Sequence, residues 1–167
     1  MVQKPKTDIP GADDTSVLKA HVLILEARFY EAIADMMADG AIEELNARGV
    51  TYERIAVPGA LELPQALSAA AEARSQGRMA FDGAIALGCV IRGETYHFEI
   101  VCDNANHWLM DVAIGEDIPV GNAVLTVETE AQVIARAEGG RKGKGGDAAR
   151  ACLRLIAAKR AFLGQSK

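Results

Sequence analysis

The sequence predicts a three-layer α/β/α sandwich with a central, mainly four-stranded parallel sheet. Three observations predict it. Short apolar runs rich in branched residues alternate with segments whose apolar residues recur every three or four positions, so strands alternate with helices. The runs are continuous rather than alternating, as in Ala20–Leu25 (AHVLIL), which suits strands covered on both faces. No second domain, internal repeat or long linker interrupts this order, and 167 residues suit one core.

Taken in order, residues 1–16 carry Pro5, Pro10, Gly11 and three acids with little pattern, and read as a flexible N-terminal arm, or one ordered only by a neighbouring subunit. Residues 17–167 form the single domain. Ala20–Leu25 is the first, central strand. Ile33, Met37, Ala41 and Leu45 repeat every four residues, giving an amphipathic helix that ends near Gly49. Tyr52–Val57 is a second short strand, broken by Pro58 and Gly59. Leu61–Ala73 is alanine-rich and helical. Asp82 and Gly83 introduce a third strand, Ala84–Ile91. A helix follows from about Phe98 to Ile114. Pro119–Gly121 reads as a turn and Asn122–Val127 as the fourth strand. Thr129 caps a short helix through Ala137, with Gln132 placed to complete a capping box. The glycine- and lysine-rich stretch 139–146 reads as a basic hinge before a last helix, Asp147 to about Phe162. Right-handed crossovers between such strands give a flavodoxin-like, doubly wound sheet, which by itself names no function.

Composition narrows the classes. Half the residues are apolar, a quarter charged, and the net charge is −5. That balance disfavours nucleic acid or an anionic membrane as main partner. No long uncharged apolar run and no signal-peptide pattern stand out. Cys89, Cys102 and Cys152 form no CxxC pair and read as reduced residues of a cytoplasmic protein. No HExxH or Cys/His cluster suggests a metal, no GxGxxG a dinucleotide, and no serine sits in a GxSxG elbow. The run GGRKGKGG fails the phosphate-loop spacing GxxxxGK[ST] in every frame.

Chemistry is expected where strands end. Residues 27–30 (ARFY), 57–62 (VPGALE) and 92–97 (RGETYH) should meet along one sheet edge, the usual ligand position in such sheets. They offer an aromatic face, a carboxylate, a turn of backbone amides and an imidazole, which suits a small, flat, polar ring. His97 can act as general acid/base or merely solvate a helix start. His21, inside a strand, and His107, within a helix, read as structural. Glu62 either complements a helix dipole or accepts hydrogen bonds from ring N–H groups. Gly93, Glu94 and Thr95 open a helix, where free amides and the dipole favour phosphate; the plainer role is an N-cap by Thr95. Arg136 can supply a guanidinium for phosphate, although a solvated cation near a helix C-terminus is the better reading of pattern alone. Asp147 is either a residue of a helix N-terminus or a partner for a histidine.

Five segments then resemble one family, in order and in register: ARFYEAIADMMADGA, VPGALELP, GCVIRGETYHFEIV, PVGNAVLTVETEAQVIARA and KGGDAA. The chain from about His21 to Lys159 resembles the 6,7-dimethyl-8-ribityllumazine synthase family of riboflavin biosynthesis. The resemblance implies condensation of 5-amino-6-(D-ribitylamino)uracil with 3,4-dihydroxy-2-butanone 4-phosphate, with no cofactor and no metal. It implies active sites shared between neighbouring chains of a pentamer, whether free, paired or built into a sixty-subunit shell, with riboflavin synthase as a candidate partner.

By position, Phe29 matches the aromatic residue that stacks on the pyrimidine. Ala60, Leu61 and Glu62 match the segment holding ring and ribityl chain, and Cys89, Val90 and Ile91 the strand end that touches the ring through backbone. Glu94 and Thr95 match the phosphate turn and His97 the general acid/base. Asn122 matches a ring-contacting position, and Arg136 the phosphate-binding arginine, of the adjacent subunit. Lys144 and Asp147 match the end of the family motif, with Asp147 a candidate to orient His97. The chain departs from the family's common residues at Tyr30 (Asn), Leu61 (Phe) and Asn122 (Phe), which bears on pocket shape more than reaction type. A flavin- or lumazine-binding relative with weak catalysis is the alternative. A flavodoxin-like electron carrier or receiver is disfavoured, because ARFYEA has no Ser/Thr-rich loop for FMN and the first strand ends in no acidic pair.

Overall fold

The computed structural model describes residue 11 and residues 13–165. The flexible arm expected over 1–16 thus lies mostly outside the described residues. Of the part within them, Asp14 is tied to the body: its carboxylate lies 3.3 Å from Arg48 and its carbonyl accepts from Arg141 at 2.9 Å.

Four strands, β1 (His21–Ala27), β2 (Thr51–Val57), β3 (Gly83–Ile91) and β4 (Val120–Val127), form one parallel sheet in the order β2-β1-β3-β4. The helices are α1 (Glu31–Ala47), α2 (Leu63–Ser75), α3 (His97–Gly115), α4 (Glu130–Ala137) and α5 (Lys144–Phe162). Alternate residues of each strand face opposite layers. Val22, Ile24, Ile85, Leu87 and Leu125 pack beneath α1, α4 and α5. Leu23, Leu25, Ala84, Ala86 and Val120 pack beneath α2 and α3. This two-sided burial is why β1 and β3 read as unbroken apolar runs. β2 is an edge strand and only half-covered.

Three local differences from the sequence reading have physical causes. The turn expected at 119–121 is the start of β4: Ala84 N–H donates to the Pro119 carbonyl and Val120 pairs with Ala84. Gly121 fits there because α5 lies against it; a Cβ would collide with the Ala148 carbonyl. The helix expected from Leu61 starts with one 3-10 turn, Ala60–Glu62, and α2 follows with Pro64 in its first turn, where no N–H is needed.

The basic hinge is instead a packed corner. Gly140–Lys142 form a 3-10 turn and α5 begins at Lys144. Gly145 lies against the Met37 backbone and Gly146 against that of Arg141, so the glycines let α5 approach its neighbours closely. Beside them lies a charge network. Arg150, 2 % exposed, reaches fully buried Glu44 at 2.9 Å and Asp147 at 2.6 Å. Arg141 adds a second cation to Glu44 at 3.0 Å. Arg141 and Lys144 of this stretch thus pair with acids of the packed corner, while Lys142 is exposed. Thr129 caps α4 as expected, accepting from Gln132 N–H at 3.3 Å, but the Gln132 amide returns to Glu128 N–H, one residue before the cap.

Candidate active site

The order β2-β1-β3-β4 means that the chain leaves β1 in one direction and returns to the other side of it with β3. The C-terminal ends of β1 and β3 therefore bound a topological switch point, where a crevice opens between diverging connections. A cleft of about 370 Å³ lies there, within the size range of small-molecule sites. All three expected strand-end segments contribute to it: Phe29 and Tyr30 from β1, Pro58 to Glu62 from β2, and Cys89 to Ile91, Gly93, Thr95 and His97 from β3 and its turn.

Each wall has a distinct character. Phe29 is 74 % exposed, with its ring edge-to-face on half-buried Tyr30 at 5.0 Å and 72°. An apolar ring held that far out of the core is a free stacking face. The turn carrying it is braced by Arg28, which bonds Asp35 of α1 at 2.8 Å and buried Glu26 of β1 at 3.2 Å. Glu62, half-buried, folds its carboxylate over the backbone of Gly59, where a Cβ would stand 3.2 Å from it. Ala60 and Leu61 complete that side.

β3 outruns its neighbour. Its pairing with β1 ends at Glu26–Leu87, while its pairing with β4 continues to Ile91–Val127. From Cys89 to Ile91 the β1-facing edge thus has no strand partner and offers backbone donors and acceptors to the cleft. Burial pushes the Cys89 thiol up to about 11, so it stays protonated and is no nucleophile at neutral pH.

The turn after β3 is polar and open. No acceptor among the described residues takes up the amides of Gly93, Glu94, Thr95 and Tyr96. The N-cap of α3 is Tyr96, which makes no side-chain cap, and Thr95 Oγ accepts only a long 3.4 Å bond from His97 N–H. His97 is the first residue of α3, exposed at the cleft. The structure thus gathers a ring face, a strand edge, free amides and an imidazole around one cavity.

Other expected site residues lie elsewhere. Glu94 is exposed on the same turn but is not a cleft wall. Arg136 is half-buried in the last turn of α4, bonds the Gln132 carbonyl at 2.7 Å, and has no carboxylate partner among the described residues. Asn122 is exposed on β4, where its amide donates to Asn106 at 2.9 Å. Lys144 binds Asp147 at 2.7 Å at the start of α5. α5 covers the face of the sheet opposite α3, so Asp147 cannot reach His97 of its own chain; its carboxylate is held by Lys144 and Arg150. Phe98 and Val101 line the cleft yet read in the sequence only as the inner face of a helix. Their signal was proximity: the helix begins at the cleft, so the residues one turn after His97 border it as well. Among the described residues no group of three His, Cys, Asp or Glu side chains is placed to hold a metal ion. No helix among them is long and apolar enough to cross a membrane.

Fold and cleft define a doubly wound α/β protein with a small-molecule site at its switch point. Residues 19–160 match the family model described as 6,7-dimethyl-8-ribityllumazine synthase. The chain is 47 % identical to a 6,7-dimethyl-8-ribityllumazine synthase of Nitrobacter hamburgensis, over 90 % of this chain and 93 % of that one. It is 48 % identical to 6,7-dimethyl-8-ribityllumazine synthase 1 of Rhodopseudomonas palustris over the same shares. A synthase of that name from Bartonella bacilliformis is 50 % identical, over 87 % of this chain and 93 % of its own. The chain belongs to the 6,7-dimethyl-8-ribityllumazine synthase family.

Proposed function

We propose that the chain condenses 5-amino-6-(D-ribitylamino)uracil with 3,4-dihydroxy-2-butanone 4-phosphate, giving 6,7-dimethyl-8-ribityllumazine, phosphate and water. The observation that carries this reading is the convergence, at one cleft of a family member, of an exposed ring, an unpaired strand edge, open amides and an imidazole. The pyrimidine stacks on Phe29 and bonds the Cys89–Ile91 edge. Glu62 accepts from polar groups of the ring or its ribityl chain. The phosphate sits on the amides of the 93–95 turn, where the α3 dipole favours an anion.

The amine of the pyrimidine attacks the ketone carbon, and the carbinolamine loses water to form an imine. A proton then leaves carbon, phosphate departs, and the ribityl-bearing nitrogen closes the second ring with loss of water. Each step moves a proton. His97 gives and takes them, a role typically worth ~10²–10⁴ in rate. Holding both substrates together offsets up to ~7–11 kcal/mol of the barrier.

The cleft is incomplete in one chain. No cation lines it, although a phosphate must be bound and released. Arg136, half-buried and without a carboxylate partner among the described residues, supplies that charge from the neighbouring subunit of a ring, and Asn122 the facing wall. The assembly is a homopentamer or a multiple of it, with riboflavin synthase, which consumes the product, as a partner. Three free cysteines suit the cytoplasm. Lumazine formation from both substrates by the purified protein is the test. No product above the uncatalysed rate would refute the reading, and tight riboflavin binding without turnover would assign the cleft to a flavin-binding relative instead.

A further inference from the structure

Arg92 is the first residue after β3, and its side chain does not line the cleft. Its backbone N–H donates to the Val127 carbonyl at 2.9 Å, extending the β3–β4 ladder by one bond. Its guanidinium lies over the Phe98 ring, 4.2 Å from the centroid. The same group forms ion pairs with Glu99 of α3 and, at 2.7 Å, with Glu128, the residue after β4. One planar fork therefore joins the strand end, the first turn of α3 and the β4–α4 connection. Its Nε donates to Glu128 and its Nη1 to Glu99, and both carboxylates hold its proton more firmly.

The helix start that presents His97 needs such a brace. The cap of α3 uses no side chain, the Thr95 bond is long, and nothing packs beside Gly93, whose missing Cβ would meet open space. Phe98 and Glu99, the two residues after His97, are the ones Arg92 holds. We infer that Arg92 is a positioning residue for this reaction: by clamping Phe98 and Glu99 it fixes the first turn of α3, and with it the aim of the His97 imidazole into the cleft. A planar guanidinium can stack and pair at once, which an ammonium cannot.

This inference rests on the proton-transfer role proposed for His97, and a double-mutant cycle separates the two. Arg92→Met keeps the apolar stem and removes the fork. Expected is a fall in kcat of roughly 10- to 100-fold, the scale of an ångström-size misplacement of a reacting group. KM for the pyrimidine should move less than about threefold, because its walls at Phe29 and Glu62 are untouched. Arg92→Lys should recover only part of kcat. In a His97→Ala background, Arg92→Met should cost little more. If His97→Ala leaves kcat intact, the reading of His97 fails. If His97→Ala is slow but Arg92→Met matches wild type, or costs the same factor in both backgrounds, the positioning role fails. Should Arg92→Met not fold, the Glu99→Gln/Glu128→Gln double variant unclamps the same fork; a wild-type kcat there overturns the inference equally.

Discussion

Phe29→Ala separates a residue kept for binding from one kept for folding. Phe29 is 74 % exposed, so only about a quarter of its surface is covered. Full burial of such a side chain is worth roughly 1.5–3 kcal/mol, so the covered part contributes about 0.5 kcal/mol. The edge-to-face pair with Tyr30 adds roughly 0.5 kcal/mol, the low end for a solvated pair. A loss of ~1 kcal/mol lowers Tm by about 2–4 °C in a domain of this size. Stacking of a base on an aromatic ring is worth roughly 1–3 kcal/mol, the larger effect. That loss raises KM for the pyrimidine roughly 5- to 150-fold. KM for the butanone phosphate, proposed to sit at the far turn, should change little. Steady-state kinetics with each substrate varied in turn, beside a melting curve, gives all three numbers. An unchanged pyrimidine KM would refute the stacking role. A Tm lower by more than about 8 °C would show that the ring is structural after all.

Four further outcomes follow from the core. Gly121→Ala drives a methyl group into the Ala148 carbonyl, backbone against backbone, and should cost about 1–3 kcal/mol or more in urea unfolding; a wild-type midpoint would contradict the close approach of α5 to β4. Glu44→Gln leaves Arg150 with one carboxylate fewer in a buried site, so a loss of roughly 3–5 kcal/mol is expected, and a neutral result would mean that the network relaxes without it. Burial pushes the thiols of Cys89 and Cys152 up to about 11 and about 12. The folded chain therefore holds these two protons more tightly than the unfolded one. Their contribution is complete below the ordinary thiol value and is lost as pH rises from there toward 11 and 12, so the urea midpoint should fall above about pH 9. In thiol labelling at pH 7.5, half-buried Cys102 should react first; faster labelling of Cys89 would contradict its burial.

Much of this was written in the chain. Continuous runs such as AHVLIL identify strands because both faces of β1 are buried, whereas the strand order that sets the β1–β3 switch point is read from the structure. The walls Phe29, Glu62 and His97 were legible because each sits at a strand end, where topology already gathers ligand-binding groups. What was hidden depends on close approach. The run GGRKGKGG has the composition of a loop, yet its glycines admit neighbouring backbones and its one arginine, Arg141, meets Glu44, a residue nearly a hundred positions earlier that looks like an ordinary surface acid. Asp147, which the resemblance offers as a partner for His97, lies across the sheet from it within one chain. Phe98 and Arg92 acquire meaning only when the turn brings the ring beneath the guanidinium.

The central claim is that each site is built from two chains, with His97 from one and Arg136 from the next. Mixing His97→Ala and Arg136→Ala proteins, dissociating them and reassembling them together tests it directly. At equal proportions about one site in four should combine an intact His97 with an intact Arg136 across a head-to-tail interface, so roughly a quarter of wild-type activity should return from two inactive parents. A mixture no more active than its parents, with mixed assemblies verified by mass, would contradict a shared site.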